Sequence, residues 1–239
     1  MDATTTTESD SSLLIIIALT LTLIAVVGFI AKRFFLSSPE TQRREDTVVF
    51  TGLSDTGKTS LFLQLRDGNQ STETHTSIVE NVFDHKINQK MVKIVDSPGA
   101  NRVRNNWMKY VNRAKAFVFV VDAANYDSRN SAEFLYDVLS HPSIFRAKVP
   151  LCIVCNKSDI VTAHPSSSIK TQMEREITQL SKTRRAFPQQ TEGNEVVNLC
   201  PQGQPFVFGK NEQPVTFVEA SGKEGNIQEI DSWLSKLFQ

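Results

Sequence analysis

An excess of charge of either sign is what this 239-residue chain most plainly lacks: 26 lysines and arginines stand against 26 aspartates and glutamates. With a pI near 6.9 there is no net field to draw in a polyanion, so direct nucleic-acid binding is not expected. Cysteine is scarce as well, three in all, and an odd number cannot pair completely. No disulfide framework follows, and the folded part reads as facing the cytosol. Cys152 and Cys155, in LCIVCNK, lie three apart on a candidate strand and so point to opposite faces, which argues against a metal pair. His75, His85, His141 and His164 share no ligand spacing and read as surface or turn residues. No internal repeat is visible, and 40% hydrophobic residues supply one sizeable core.

Charge is missing altogether from residues 13–31, LLIIIALTLTLIAVVGFIA. That run is close to the roughly 20 apolar residues an α-helix needs to cross a bilayer, so it is expected to be a single transmembrane helix. The preceding residues 1–12 hold Asp2, Glu8 and Asp10 and no base. A cleaved signal peptide would want a basic start and a shorter apolar stretch, so these residues read as a short lumenal tail. Lys32, Arg33, Arg43 and Arg44 all follow the span, which places the bulk of the chain in the cytosol. Residues 32–45 then read as a linker, about fourteen residues reaching at most about 50 Å, so whatever follows works near the membrane surface.

From 46 to 239 apolar strands alternate with helical stretches. DTVVFTG reads as a strand and KTSLFLQLRDG as a helix ending at Gly68; IVENVFDHKIN and MVKIVDSPG flank a polar turn as a hairpin. KAFVFVVDAA, VPLCIVCNKSD and PVTFVEASG are buried-strand runs, separated by helical periodicity in SAEFLYDVLSH and SSSIKTQMEREITQLSKTRRAF. The expected fold is α/β: a mostly parallel six-stranded sheet, one strand antiparallel, with helices on both faces. IQEIDSWLSKLF puts Ile227, Ile230, Trp233, Leu234 and Leu237 on one face, for packing against that sheet. Residues 188–206, polar with scattered turn formers, read as a mobile insertion.

The chemistry is concentrated in three short motifs. GLSDTGKTS matches the phosphate-loop pattern through Gly52, Gly57, Lys58 and Thr59, with a strand before it and a helix after. Glycines let backbone N–H groups curl around a phosphate at a helix N-terminus, Lys58 would meet the β- and γ-phosphates, and the Thr59 hydroxyl would hold Mg²⁺. Asp96, in KIVDSPG, ends a strand where an acid can face that cation, and Gly99 leaves its N–H for the γ-phosphate. NKSD follows the strand LCIVC, so Asp159 can accept two hydrogen bonds from guanine N1–H and its amine, which adenine cannot supply. Asp122, after FVFVV, reads as a strand-end cap rather than a second metal ligand.

An amino-terminal span, GLSDTGKTSLF, HTSI, DSPG, AFVFVVDAAN with AEFLYDVL, NKSDI and EASGK together resemble the Ras-like small GTPases. Within them the chain is similar, over about residues 13–239, to the membrane-anchored signal recognition particle receptor β-subunit family. The resemblance implies the P-loop GTPase fold, with GTP and Mg²⁺ as cofactors. It implies that Gly52, Leu53, Ser54, Asp55, Thr56, Gly57, Lys58, Thr59 and Ser60 form the phosphate loop. Thr74, His75, Thr76 and Ser77 form a switch segment, and Thr76 matches the family's switch I threonine. Asn156, Lys157 and Asp159, with Ser221 and Gly222, surround the base, and Thr59, Thr76 and Asp96 hold Mg²⁺. Ser221-Gly222-Lys223 matches the family's base-contacting loop, with Gly222 in place of alanine and its N–H expected to stay free for the base. The implied partners are the receptor α subunit, as a heterodimer tethered in a GTP-dependent way, the endoplasmic reticulum membrane and, beyond it, the translocon.

One position departs from that pattern. The resemblance implies histidine after Gly99, related GTPases use glutamine there to orient the attacking water, and this chain has Ala100 followed by Asn101. A methyl group orients nothing, so tight GTP binding with slow intrinsic hydrolysis is expected. Ala100 also favours a structural tether with permanently bound GTP. An Arf- or Sar-like trafficking GTPase is disfavoured because those attach through an amphipathic helix or lipid rather than a span.

Overall fold

Apolar residues on one strand, β4 (Ala114–Asp122), alternate between two cores, and that alternation decides the layering. Phe117, Phe119 and Val121 belong to a cluster with Trp107, Phe134 and Ile169, whereas Ala116, Val118 and Val120 belong to another with Phe50, Phe62 and Ile230. A strand covered on both faces must lie inside a sheet with layers on either side. The computed structural model describes residues 19–22, 26, 44–68, 80–100, 102, 104–186, 197–200, 203–210 and 212–239. The chain divides into a unit Met1–Gln42, whose described residues are helical, and a unit Arg43–Gln239.

In the second unit the strands are β1 (Glu45–Thr51), β2 (Asn81–Ile87), β3 (Lys90–Asp96), β4, β5 (Leu151–Asn156) and β6 (Val215–Glu219). Their spatial order is β2-β3-β1-β4-β5-β6. The hairpin β2–β3 is antiparallel and the other neighbouring pairs are parallel, as the alternation of strands and helices implies. α1 (Lys58–Asp67) and α5 (Gln228–Leu237) cover the face around Phe50. α2 (Ser128–Leu139) and α4 (Ser166–Ala186) cover the other, with α3 (Pro142–Arg146) beside them. On α5, Ile230 and Leu234 are fully buried and Ile227, Trp233 and Leu237 pack alongside, the face its periodicity marks. The three cysteines are free and buried, and Cys152 and Cys155 fall into opposite cores.

Two short elements carry no periodicity and are not foreseeable from it. The 3-10 helix Arg104–Tyr110 forms where Trp107, fully buried, packs edge-on against Phe117 and His141 at ring distances of 6.3 and 6.0 Å. One large ring in the core holds a segment that local propensity would leave as loop. α3 starts with Pro142, and His141 Nδ1 accepts the Ser143 N–H at 3.3 Å as its cap.

Two expectations are corrected. Within 188–206, the described residues Leu199, Cys200 and Phe206 are buried in the core, so part of the stretch read as a mobile insertion is packed. The Phe206 N–H donates to Thr178 Oγ1 at 2.9 Å, and Arg185 Nη2 donates to Asn198 Oδ1 at 2.8 Å, so α4 supplies the partners that composition does not reveal. The linker also ends sooner than residue 45. Arg44 Nη1 donates to the carbonyls of Val111 and Ala114 at 2.7 and 2.8 Å, and its Nη2 donates to Ser143 at 2.7 Å. β1 then begins at Glu45. The expected span 13–31 lies mostly outside the described residues; among those described, no helix is long and apolar enough to cross a membrane.

Arg44 therefore ties the entry of β1 to two other segments with one guanidinium. We expect Arg44→Ala to lower unfolding stability by about 2 kcal/mol, since three part-buried carbonyls lose charged donors. Chemical denaturation of the two proteins checks this, and a change within about 0.5 kcal/mol, the range of an ordinary surface substitution, would overturn it.

Candidate functional site

Parallel strands bring their carboxyl ends to one edge, and the loops that leave β1, β3, β5 and β6 enclose a cleft of about 380 Å³ there. Its phosphate-loop end is lined by Ser54, Asp55, Gly57, Lys58, Thr59 and Ser60, with Asp96 and Gly99 opposite; Asn156, Lys157, Asp159 and Gly222 line the remainder. Gly52, Leu53, Thr56 and Ser221, also expected there, are not among the lining residues; Leu53, Thr56 and Ser221 bond to residues that are, namely Lys58, Asn156 and Asp159. Thr74, His75, Thr76 and Ser77 lie outside the described residues.

The loop between β1 and α1 is held tightly from its own backbone. Thr56 Oγ1 donates to Leu53 O at 3.0 Å, and Lys58 Nζ donates to the same carbonyl at 2.6 Å. Gly57 has φ 85°, and a side chain there would stand 2.1 Å from Asn156 Nδ2. Both the backbone conformation and the space demand glycine. Gly99 is required by approach alone, since a Cβ would come within 2.5 Å of Gly52 O and 2.6 Å of Lys58 Nζ. The DSPG loop thus lies directly against the phosphate loop.

Lys58 is only 6% exposed, and burial pushes its amine down to about 8, with the charges of Asp96 and Asp55 acting the other way. Asp96 is fully buried, and desolvation raises its carboxyl against the lowering influence of Thr59, Asn81 and Lys58. Thr59 Oγ1 donates to Asp96 Oδ2 at 2.7 Å, whereas Asp96 Oδ1 has no hydrogen-bond partner among the described residues. A buried carboxylate oxygen without a partner, next to a threonine hydroxyl, suits a hard cation that takes few side chains and completes its shell with water and phosphate oxygens. Thr59 and Asp96 would hold Mg²⁺, and the ion would neutralise phosphate charge. Among the described residues no cluster of three or more His, Cys, Asp or Glu offers a different metal site.

At the other end Asn156 joins three loops. Its Nδ2 donates to Thr56 O at 2.8 Å and its Oδ1 accepts the Gly222 N–H at 3.0 Å. This corrects the expectation that the Gly222 N–H stays free for a base, because the asparagine carbonyl takes it. Ser221 Oγ donates to Asp159 Oδ1 at 2.7 Å, aligning the carboxylate expected to read the base. Lys157 forms an ion pair with Asp122, whose Oδ1 also accepts the N–H groups of Ala124 and Asn125 at 3.0 and 2.9 Å. Asp122 caps the loop that follows its strand, as its position implies.

Two supporting residues, Gln64 and Asn81, escape the motif search. Gln64 Nε2, buried on α1, donates to Gly222 O at 3.0 Å, and the Gly222 Cα faces Ser60 so closely that a Cβ would lie 2.7 Å from Ser60 Oγ and 3.1 Å from its Cβ. That contact accounts for glycine where the resemblance implies alanine. Asn81 Nδ2 donates to Asp96 Oδ2 at 3.3 Å. This last pairing is legible in principle, since counting back six residues from Ile87 and forward six from Lys90, across the turn between them, sets Asn81 opposite Asp96.

Comparison with known proteins agrees with this geometry. The profile of the family described as "Signal recognition particle receptor beta subunit" matches residues 43–215. The mouse signal recognition particle receptor subunit beta is 33% identical over 230 residues, 90% of this chain and 84% of that protein. The structure of the mammalian SRP receptor aligns with TM-score 0.69 and 32% identity over 80% of this chain and 99% of that one. A fungal SRb-GTP/SRX complex from Chaetomium thermophilum aligns with TM-score 0.64 over 80% of this chain and 99% of that one, and at 19% identity it speaks to the fold.

The Lys58 amine carries a measurable consequence. Between about 8 and the usual lysine value the folded chain binds fewer protons there than the unfolded chain, so stability rises with pH across that window. A phosphate chain beside the amine favours its charged form and reverses the shift. Nucleotide binding at about pH 8.5 is therefore expected to take up a fraction of a proton, approaching one, and at about pH 6.5 almost none. Titration calorimetry in two buffers of different ionisation enthalpy reads the uptake directly. Equal uptake at both pH values would remove Lys58 from the phosphate site.

Proposed function

The chain belongs to the signal recognition particle receptor beta subunit family, and from that premise we propose that it is a GTP-binding, membrane-anchored subunit that holds a receptor α subunit at the endoplasmic reticulum for co-translational protein targeting. The observation that carries the reading is a single cleft with Lys58, Thr59 and Asp96 at one end and Asn156 and Asp159 at the other. The first end would take phosphates and Mg²⁺ and the second a guanine.

Asp159, aligned by Ser221, accepts from the guanine ring N–H and amine. Lys58 and the loop N–H groups take the β- and γ-phosphates, and Mg²⁺ supplies charge neutralisation when bound. A γ-phosphate draws together the segments around Thr76 and Gly99, and that composite surface is where the α subunit docks. The SRb-GTP/SRX complex from Chaetomium thermophilum, in which a protein of this fold is assembled with SRX, supports a receptor subunit in this role.

The uncharged run 13–31 provides the anchor, with the domain on the cytosolic side of its basic flank. Its described helical residues Leu19, Leu21 and Val26 are exposed apolar side chains, the kind that lipid covers. Ala100 favours a second reading, a tether whose GTP stays bound, because no side chain there orients a water for attack.

Base reading is tested by Asp159→Asn. GTP affinity should fall by roughly two to four orders of magnitude, and xanthosine triphosphate, whose 2-oxo group accepts where guanine donates, should be preferred. A variant that keeps its GTP preference in competition binding would exclude this role for Asp159.

Switching is tested with the isolated N-terminal domain of the α subunit. Its affinity for the full-length chain in detergent should be roughly 5- to 150-fold higher in the GTP form than in the GDP form. Equal affinities would leave the permanently loaded tether as the function.

A further inference from the structure

Asp96 shows an asymmetry that the phosphate-loop motif alone does not explain. Two donors converge on Oδ2, Thr59 Oγ1 at 2.7 Å and Asn81 Nδ2 at 3.3 Å, while Oδ1 is buried with no hydrogen-bond partner among the described residues. A carboxylate held by one oxygen cannot rotate about its Cβ–Cγ bond without breaking both hydrogen bonds, so the other oxygen keeps a fixed direction. Thr59 is expected to hold the same cation, and as a ligand it cannot by itself fix the carboxylate against the ion's pull. Asn81, by contrast, is not among the residues lining the cleft, and its amide reaches the carboxylate from the neighbouring strand.

Its place in the chain adds a second consequence. Asn81 is the first residue of β2, directly opposite Asp96 in the hairpin register, and follows the segment that contains Thr76. The preceding residue, Glu80, pairs with Lys109 of the 3-10 helix at 3.7 Å. Two adjacent side chains at this strand end therefore hold the metal carboxylate and the helix that follows the DSPG loop.

Resting on the reading of this cleft as a site for Mg²⁺-bound guanine nucleotide, we propose that Asn81 is a positioning residue that aims Asp96 Oδ1 at the magnesium ion. Its amide touches neither nucleotide nor metal and acts through Asp96.

The test measures release of a fluorescent GTP analogue from the full-length chain in detergent, in excess EDTA and across a series of Mg²⁺ concentrations. In the wild type Mg²⁺ should slow release. Asn81→Ala should raise the Mg²⁺ concentration for half-maximal slowing by roughly 10-fold, while leaving the release rate in EDTA unchanged within about 2-fold. Asn81→Gln, which keeps a carboxamide donor, should recover part of the loss. Thermal unfolding of the nucleotide-free proteins should coincide within about 2 °C, since Asn81 is exposed at a strand end.

An unchanged Mg²⁺ midpoint in Asn81→Ala, with a wild type that responds to Mg²⁺, overturns the assignment and leaves the nucleotide reading intact. A release rate that rises equally with and without Mg²⁺ also overturns it, as the mark of a merely structural role. A wild type whose release ignores Mg²⁺ overturns the underlying reading and the assignment together.

Discussion

The Asn156 carboxamide is the interaction on which the rest of the cleft depends. It is 2% exposed, donates to Thr56 O in the phosphate loop, and accepts the Gly222 N–H from the loop after β6. Neither loop has a regular structure of its own, so their separation is set by one planar group with both ends satisfied. A buried amide in this position cannot be half-used without a large desolvation cost, and the two loops are therefore held or lost together. Gly57 exists to let that group approach, since a Cβ there would collide with Nδ2. Gln64 adds a second tie from α1 to Gly222 O, so the loop after β6 is held by both its N–H and its carbonyl.

The sheet makes this stitching possible. β4 and β5 run parallel in register through Asp122 and Asn156, which sets the loop after each strand beside the other. Asp122 uses this adjacency for structure: it caps its own turn and pairs with Lys157, leaving Asp159 two residues on to face the cleft. Charge is placed locally rather than globally. A chain with no net charge buries a lysine beside an aspartate at one edge, and the low dielectric there gives those two groups a leverage on phosphate and cation that surface charge lacks.

What was legible in the sequence follows from how local its cause is. The sheet and its covering helices show in apolar runs of period two and 3.6, and the phosphate loop shows because Gly57, Lys58 and Thr59 must be consecutive for steric reasons. The 3-10 helix does not show, because Trp107 needs Phe117 and His141 from elsewhere in the chain. Leu199, Cys200 and Phe206 were hidden among polar neighbours, and α4 supplies the hydrogen-bond partners that hold this stretch. The Gly222 N–H contact is not legible for the same reason: its partner, Asn156, lies on another strand. Asn81 lay within reach of the hairpin count, and was missed because an asparagine at a strand start ordinarily marks a turn.

Ala100 bears on what such a cleft is for. Lys58, Thr59, Asp96 and Asp159 line the cleft where a nucleotide would sit, and any contact made equally to ground and transition states tightens binding without speeding chemistry. The one position expected to orient a water carries a methyl group instead. Binding free energy is then directed to ordering the chain: a ligand held at 1,000 times its dissociation constant stabilises the folded state by about 4 kcal/mol. That is a large share of the roughly 5–15 kcal/mol typical of a domain. Loops that are joined through one buried amide gain most from such a ligand, because each phosphate or base contact resists the same opening. A nucleotide bound in such a cleft would therefore stabilise the fold whether or not it also switches a partner.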